Sequence, residues 1–250
     1  MSRTAIVMLT WNRLDTLKNT INTFKKYNKK VNDEDIIIVD NGSKDKTDEF
    51  LKNSNYDYIL NKINYGAQLG KHIGWDRAVN RKFDFIMFIE DDHPCYRNIP
   101  IQHLEKYLDE HEEIGIIRLN DKNYLKRHQI TKLPIDYFTT EKLNSNFDIK
   151  IYNYHFTSHP SIFRTSLVEK LKGCVYPLVK PKNINIEKLG FEKYKGTPKY
   201  ELAKERVLMD FGVREKEYMR LYLLHYNFTA QLTPACFKWV DKKRMNGWKN

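Results

Sequence analysis

The chain has 250 residues, of which 41% are hydrophobic, enough to bury a sizeable core and too apolar for a disordered segment. Its three cysteines, Cys95, Cys174 and Cys236, match no metal or redox spacing, and no apolar run approaches the roughly 20 residues of a membrane-spanning helix; with no leader pattern at the N-terminus, a cytoplasmic location is expected. The net charge of +11 belongs entirely to residues 126–250, where 24 Lys and Arg face 12 Asp and Glu, so an anionic partner is steered to that half.

In chain order, Thr4 to Leu9 is a continuous apolar run of buried-strand type. Leu14, Leu17, Ile21 and Phe24 follow at helical spacing, with lysines on the opposite face. Ile36 to Val39 reads as a second strand, stopped by Asp40-Asn41-Gly42-Ser43, and a short helix runs through Thr47, Phe50 and Leu51. Tyr58 to Leu60 is a third strand, about Gln68 to Asn80 a helix, and Phe83 to Ile89 a fourth strand. A helix near Ile101 to His111 leads to a fifth strand, Ile114 to Leu119. This alternation predicts a mainly parallel sheet with helices on both faces. After about residue 120 the rhythm breaks. Ile149 to Tyr152 and Ser161 to Phe163 read as strands, with Thr165 as a cap for a helix starting at Ser166. Pro177 to Pro198 reads as a loop or lid, and helical patterning resumes over 200–210 and 215–226.

The fourth strand runs straight into Glu90-Asp91-Asp92-His93. Adjacent carboxylates repel and raise one another's pKa unless a cation sits among them. Oxygen-rich sites of this kind suit a hard divalent ion, Mg2+ or Mn2+, shared with a phosphorylated substrate. Open α/β sheets bind ligands just beyond the carboxyl ends of their strands, which is where these acids fall.

Four pieces line up: Thr10-Trp11-Asn12-Arg13 after strand one, Asp40-Asn41-Gly42-Ser43 after strand two, Asn64 to Lys71 opening a helix, and Glu90-Asp91-Asp92 after strand four. Together they resemble the nucleotide-sugar-binding half of GT-A glycosyltransferases, most closely glycosyltransferase family 2. The resemblance implies a GT-A, Rossmann-like domain, with residues 1–120 binding donor and a basic, mixed α+β half, 121–250, binding acceptor. It implies that Trp11 stacks on a uracil-type base, flanked by Thr10 and Arg13. Asp40 and Asn41 match the pair that holds base and ribose, although Asp is usual at the second position. Lys71 would approach the diphosphate, and Asp91 the ribose or the metal. Asp92 would coordinate the metal, Mn2+ or Mg2+, with Glu90 supporting. Glu at that first position also occurs in GT-A enzymes that transfer N-acetylglucosamine. His93 is either a further metal ligand or a structural histidine.

Inverting transfer needs a carboxylate to take the acceptor's proton. Gly212-Val213-Arg214-Glu215-Lys216-Glu217 is similar to the family's base-bearing motif and makes Glu215 the candidate base, with Asp210 in reserve. His155 and His159 lie where such enzymes meet the acceptor. The resemblance thus implies a metal-dependent, inverting glycosyltransferase that moves a sugar from a UDP-sugar donor to a hydroxyl of a glycan or glycoconjugate. Two other readings stand beside it. One is transfer to a modified nucleic-acid base, for which no recognition motif is present; the other is a non-catalytic nucleotide-sugar-binding protein. The basic second half also suits peripheral contact with an anionic membrane.

Overall fold

A computed structural model describes residues 3–120, 139–152, 160–171 and 228–237. The first half forms the strands β1 (Thr4–Thr10), β2 (Ile36–Asp40), β3 (Asp57–Leu60), β4 (Phe85–Glu90) and β5 (Ile114–Arg118). Between them lie the helices α1 (Leu14–Tyr27), α2 (Thr47–Lys52), α3 (Gly66–Asn80) and α4 (Ile101–Glu110). The second half adds β6 (Thr139–Asn144), β7 (Phe147–Tyr152), β8 (Ser161–Arg164), α5 (Thr165–Leu171) and β9 (Phe228–Thr233). The expected lid over 177–198 and the helices over 200–210 and 215–226 lie outside the described residues.

All nine strands join one sheet in the order β3-β2-β1-β4-β8-β5-β9-β7-β6. β3, β2, β1 and β4 are mutually parallel. β8 lies antiparallel between β4 and β5 and returns β5 to the direction of β4. Five of the first six strands in that order therefore share one direction, the mainly parallel GT-A arrangement. β9 continues parallel to β5, and the β6–β7 hairpin completes the sheet antiparallel to it.

Alternation along the central strands separates two apolar layers, because successive side chains point to opposite faces. Ile6, Met8, Ile36, Ile38, Phe85, Met87 and Ile89 face α1 and α4 and pack with Leu17, Ile21, Phe24, Leu104 and Leu108. Ala5, Val7, Ile37, Ile86 and Phe88 face the other way, against Leu69, Trp75 and Ala78 of α3 and Leu167 and Val168 of α5. Helix α3 lies unusually close to the sheet. A Cβ on Gly74 would come within 2.5 Å of Val7 Cγ1 and 2.9 Å of Val39 Cγ2, so glycine sets the approach.

The structure corrects the sequence reading in a few places. Strands β6 and β9 were not expected. β6, Thr139-Thr140-Glu141-Lys142-Leu143-Asn144, is polar because it closes the far edge of the sheet, with its residues exposed or half-buried. Thr165 does not cap α5 from outside; it is the first helical residue, and its hydroxyl donates to the Asp84 carbonyl at 3.1 Å. No described helix is long and apolar enough to cross a membrane.

Candidate functional site

The carboxyl ends of β1, β2 and β4 come together with the first turn of α3. They enclose a cleft lined by Thr10, Trp11, Arg13, Asn41, Asn64, Gly66, Ala67, Glu90, Asp91 and Asp92. A larger cavity of about 1200 Å³ lies at the opposite, amino-terminal end of the strands, beside Arg3, Thr4, Lys26 and Ile101. Size alone favours that cavity, but the concentration of buried acids and the carboxyl strand ends make the smaller cleft the candidate site.

Two loops at this end brace each other. The Asn12 backbone N–H donates to Ser43 Oγ at 2.8 Å, and the Lys44 N–H donates to Asn12 Oδ1 at 2.7 Å. Asp45 Oδ2 accepts from the Leu14 N–H at 2.9 Å and so satisfies one open donor at the start of α1. Asp40 is buried, and its Oδ1 accepts from the Ser43 N–H at 3.0 Å. Burial pushes the Asp40 carboxyl above its usual pKa, partly offset by the hydrogen bonds from Ser43. Asp40 thus shapes the β2–α2 turn.

The neighbouring acids of the β4 run have different environments. Asp91 is turned into the protein: Oδ2 accepts from Thr10 Oγ at 2.9 Å and Oδ1 from Arg13 Nη1 at 2.9 Å. Its carbonyl accepts from Thr20 Oγ at 2.6 Å. Burial raises the Asp91 carboxyl to about 6 even against the Arg13 charge. Asp92 shares Arg13 with Asp91, Oδ2 lying 3.3 Å from Arg13 Nη1, and its Oδ1 is 2.9 Å from His93 Nδ1. Burial pushes Asp92 upward too, but His93 and Arg13 outweigh burial and the Glu90 charge, and its pKa falls below the ordinary value. The cation needed among these carboxylates is supplied in part by the chain itself, through Arg13.

Glu90, Asp92 and His93 bring three candidate ligand atoms within 4.8 Å of one another. Asp91, expected as a ligand or ribose contact, stands outside this group. Two carboxylates and an imidazole form a donor set that suits Mn2+ and tolerates Mg2+ less well, because imidazole is the softer ligand. His93 is 1% exposed.

The remaining expected residues fall as follows. Trp11 is half-buried on the cleft wall, with one face of the cleft to offer a ring. Lys71 is buried on α3 with Nζ 5.4 Å from the Phe88 ring centroid, behind the cleft lining. Asn41 lines the cleft, but its amide is engaged by the β3–α3 loop. Glu215, Asp210, His155 and His159 lie outside the described residues.

Sequence reasoning missed the polar residues of α1 and of its C-cap, Asn28, that hold the segment after β4. Thr20 holds the Asp91 carbonyl, Thr23 Oγ accepts from the Cys95 N–H at 3.1 Å, and Asn28 Oδ1 accepts from the Ile99 N–H at 3.0 Å. A signal existed for Thr20: it falls on the buried stripe of Leu17, Ile21 and Phe24, where a hydroxyl must find a partner.

Residues 5–171 match the sequence profile described as Glycosyl transferase family 2. No curated protein matches the sequence. Among solved structures, Staphylococcus aureus TarS 1-349 superposes with a TM-score of 0.56 at 13% identity, covering 98% of this chain and 63% of that one. Its complex with UDP gives a TM-score of 0.52 at 15% identity, covering 98% and 63% of the two chains. The complex with UDP-GlcNAc gives 0.55 at 12% identity, covering 94% and 58%. The chain therefore spans under two thirds of the TarS structures it resembles, and at these identities the likeness is one of fold.

Proposed function

The chain belongs to glycosyl transferase family 2, and from that membership we propose a metal-dependent transferase that moves a sugar from a nucleotide-diphosphate donor to a hydroxyl of a glycan or glycoconjugate. The observation that carries this reading is the Glu90, Asp92 and His93 group, two of whose members line a cleft together with Trp11. A UDP-sugar is the favoured donor, supported by analogy with the TarS complexes. The proposal covers transfer of a hexose or of an N-acetylhexosamine. Glu90, Asp92 and His93 would hold Mn2+ or Mg2+, which supplies charge to offset the diphosphate and its departure. Arg13, anchored by both Asp91 and Asp92, adds fixed positive charge on the same side. Trp11 offers the base a stacking face.

Inversion requires a base from the acceptor half, and Glu215, with Asp210 behind it, is the residue we assign to that role. His155 and His159 are proposed on the acceptor side. The division into a donor part, 1–120, and an acceptor part, 121–250, follows the same reading. The buried free thiols Cys95 and Cys236 suit a reducing cytoplasm.

The test is a panel of nucleotide sugars with Mn2+, read first by thermal stabilisation and then by sugar transfer or hydrolysis. A donor at about 100 times its Kd stabilises by about 2.7 kcal/mol, a rise in Tm of roughly 5–10 °C for a chain of this size. A UDP-sugar is expected to stand out, with turnover; stabilisation by no nucleotide sugar sinks the reading. Glu215→Gln is expected to keep donor binding and lose transfer, and unchanged transfer removes Glu215 as the base.

A further inference from the structure

The Asn41 side chain has no hydrogen-bonding capacity left for a ligand. A carboxamide has two N–H donors and two acceptor lone pairs. Nδ2 donates to Asn64 Oδ1 at 2.7 Å and to the Gly66 carbonyl at 3.1 Å. Oδ1 accepts from Asn61 Nδ2 at 3.1 Å and from the Tyr65 backbone N–H at 3.1 Å. Two of these partners are backbone groups that cannot exchange roles: Gly66 C=O can only accept and Tyr65 N–H can only donate. They fix which end of the amide is nitrogen and require an amide at this position. An aspartate would set a carboxylate oxygen against the Gly66 carbonyl.

The next residue tightens the same seat. Gly42 has φ of 78°, and a Cβ on it would come within 2.7 Å of the Ile63 carbonyl carbon and 2.9 Å of its Cα. The loop backbone thus lies directly on Gly42, while the Asn61 N–H donates to the Asp40 carbonyl at 2.9 Å. Asn64, Gly66 and Ala67, carried by this loop and the first turn of α3, form one wall of the cleft.

We propose that Asn41 is a positioning residue that holds the 61–66 loop as a preformed wall of the donor cleft, and that it makes no direct contact with the nucleotide. This rests on the cleft being the donor site. It also accounts for the departure from the family's usual aspartate: the partners at 61–66 demand donors as well as acceptors. Preordering the wall lowers the entropy lost when donor binds, so loosening it weakens affinity for whatever the wall touches.

The full-length chain is titrated with UDP in the presence of Mn2+ by calorimetry, and amide hydrogen exchange is followed over 61–67. Asn41→Asp is expected to weaken UDP about tenfold and to speed exchange at Tyr65 and Gly66. Asn64→Ala, which removes two loop bonds and leaves Asn41 in place, is expected to weaken UDP in the same direction by a smaller factor. The double variant should be little worse than Asn41→Asp alone, since both act on one loop. Should Asn41→Asp fail to melt cooperatively, Asn64→Ala decides by the same two measurements. Affinity within twofold of wild type in both variants overturns the inference. So does an altered preference between UDP and CDP with loop protection intact, which marks a direct contact. Failure of the wild type to bind UDP overturns the donor reading and this inference with it.

Discussion

The two ends of the parallel strands carry charge in opposite ways. At the amino-terminal end the ion pairs lie at the surface. Arg3 Nη2 meets Asp35 at 2.6 Å with the Arg3 side chain 51% exposed. Asp57 takes Arg77 in a two-point contact at 2.9 Å and Arg81 at 3.0 Å, tying the edge strand β3 to the end of α3. At the carboxyl end Asp40, Asp91, Asp92 and His93 are all buried; Asp91 and Asp92 are held by Arg13 from the loop after β1, and Asp40 by Ser43 of its own turn. Exposed pairs exchange one solvated state for another and contribute little. Buried acids cost desolvation energy, and such an arrangement persists where it serves a ligand. The contrast separates charge that ties elements together from buried charge at the candidate site, within one sheet.

Four substitutions sharpen or break that contrast, from the largest effect to the smallest. Asp92→Ala should abolish metal-dependent donor binding, a loss of 100-fold or more by calorimetry with Mn2+ on the scale of a lost metal-coordinating charge; normal metal and donor binding would show that the buried acids are not a cation site. His93→Ala should weaken Mn2+ roughly 10-fold to 100-fold, read by electron paramagnetic resonance titration of the free ion, with less change for Mg2+. Equal effects on the two metals would remove the imidazole as ligand. Thr20→Val, at the hydroxyl beneath Asp91, should cost about 1–2 kcal/mol in chemical denaturation and raise donor KM more than it lowers kcat. No change in either would mean that α1 does not help to set the acidic turn. Asp57→Asn, at the amino-terminal end, loses the charge that meets Arg77 and Arg81, should cost about 1–2 kcal/mol, and should leave donor affinity unchanged. A marked loss of affinity there would dissolve the distinction between the two ends.

Much of the fold was legible in the residues. β1, β2 and β4 are short, almost wholly apolar runs stopped by polar clusters, and buried parallel strands need that pattern. The stripe of Leu17, Ile21 and Phe24 placed α1, and these residues are buried. The insertion of β8 between β4 and β5 was not legible, because Ser161-Ile162-Phe163-Arg164 has the composition of a strand but no mark of its neighbours. β9 escaped for a related reason: Phe228, Ala230 and Leu232 alternate over only six residues, too short to separate from the helical pattern before it.

At the cleft, residue types announced the chemistry, while the roles awaited the fold. Three acids in a row predict charge that needs a cation wherever the strand ends, so that much follows from local chemistry alone. The roles of the two aspartates depend on partners more than 70 residues away: Thr10 bonds Asp91 alone, Arg13 bridges Asp91 and Asp92, and Asp92 also meets His93 beside Glu90. Asn41 likewise reads as a nucleotide contact by position, until the loop at 61–66 is seen to take every bond its amide can make. Lys71 reads as a diphosphate contact by position, and the fold buries it with Nζ 5.4 Å from the Phe88 ring centroid. The sequence by itself determined the alternation of elements, the two-faced core and the gathering of acids at the carboxyl ends of the strands, because hydrophobic period and strand-end charge are local properties. Only the tertiary structure decided strand order and the division of labour among the polar side chains, because a hydrogen bond or ion pair between distant residues depends on where the backbone carries them.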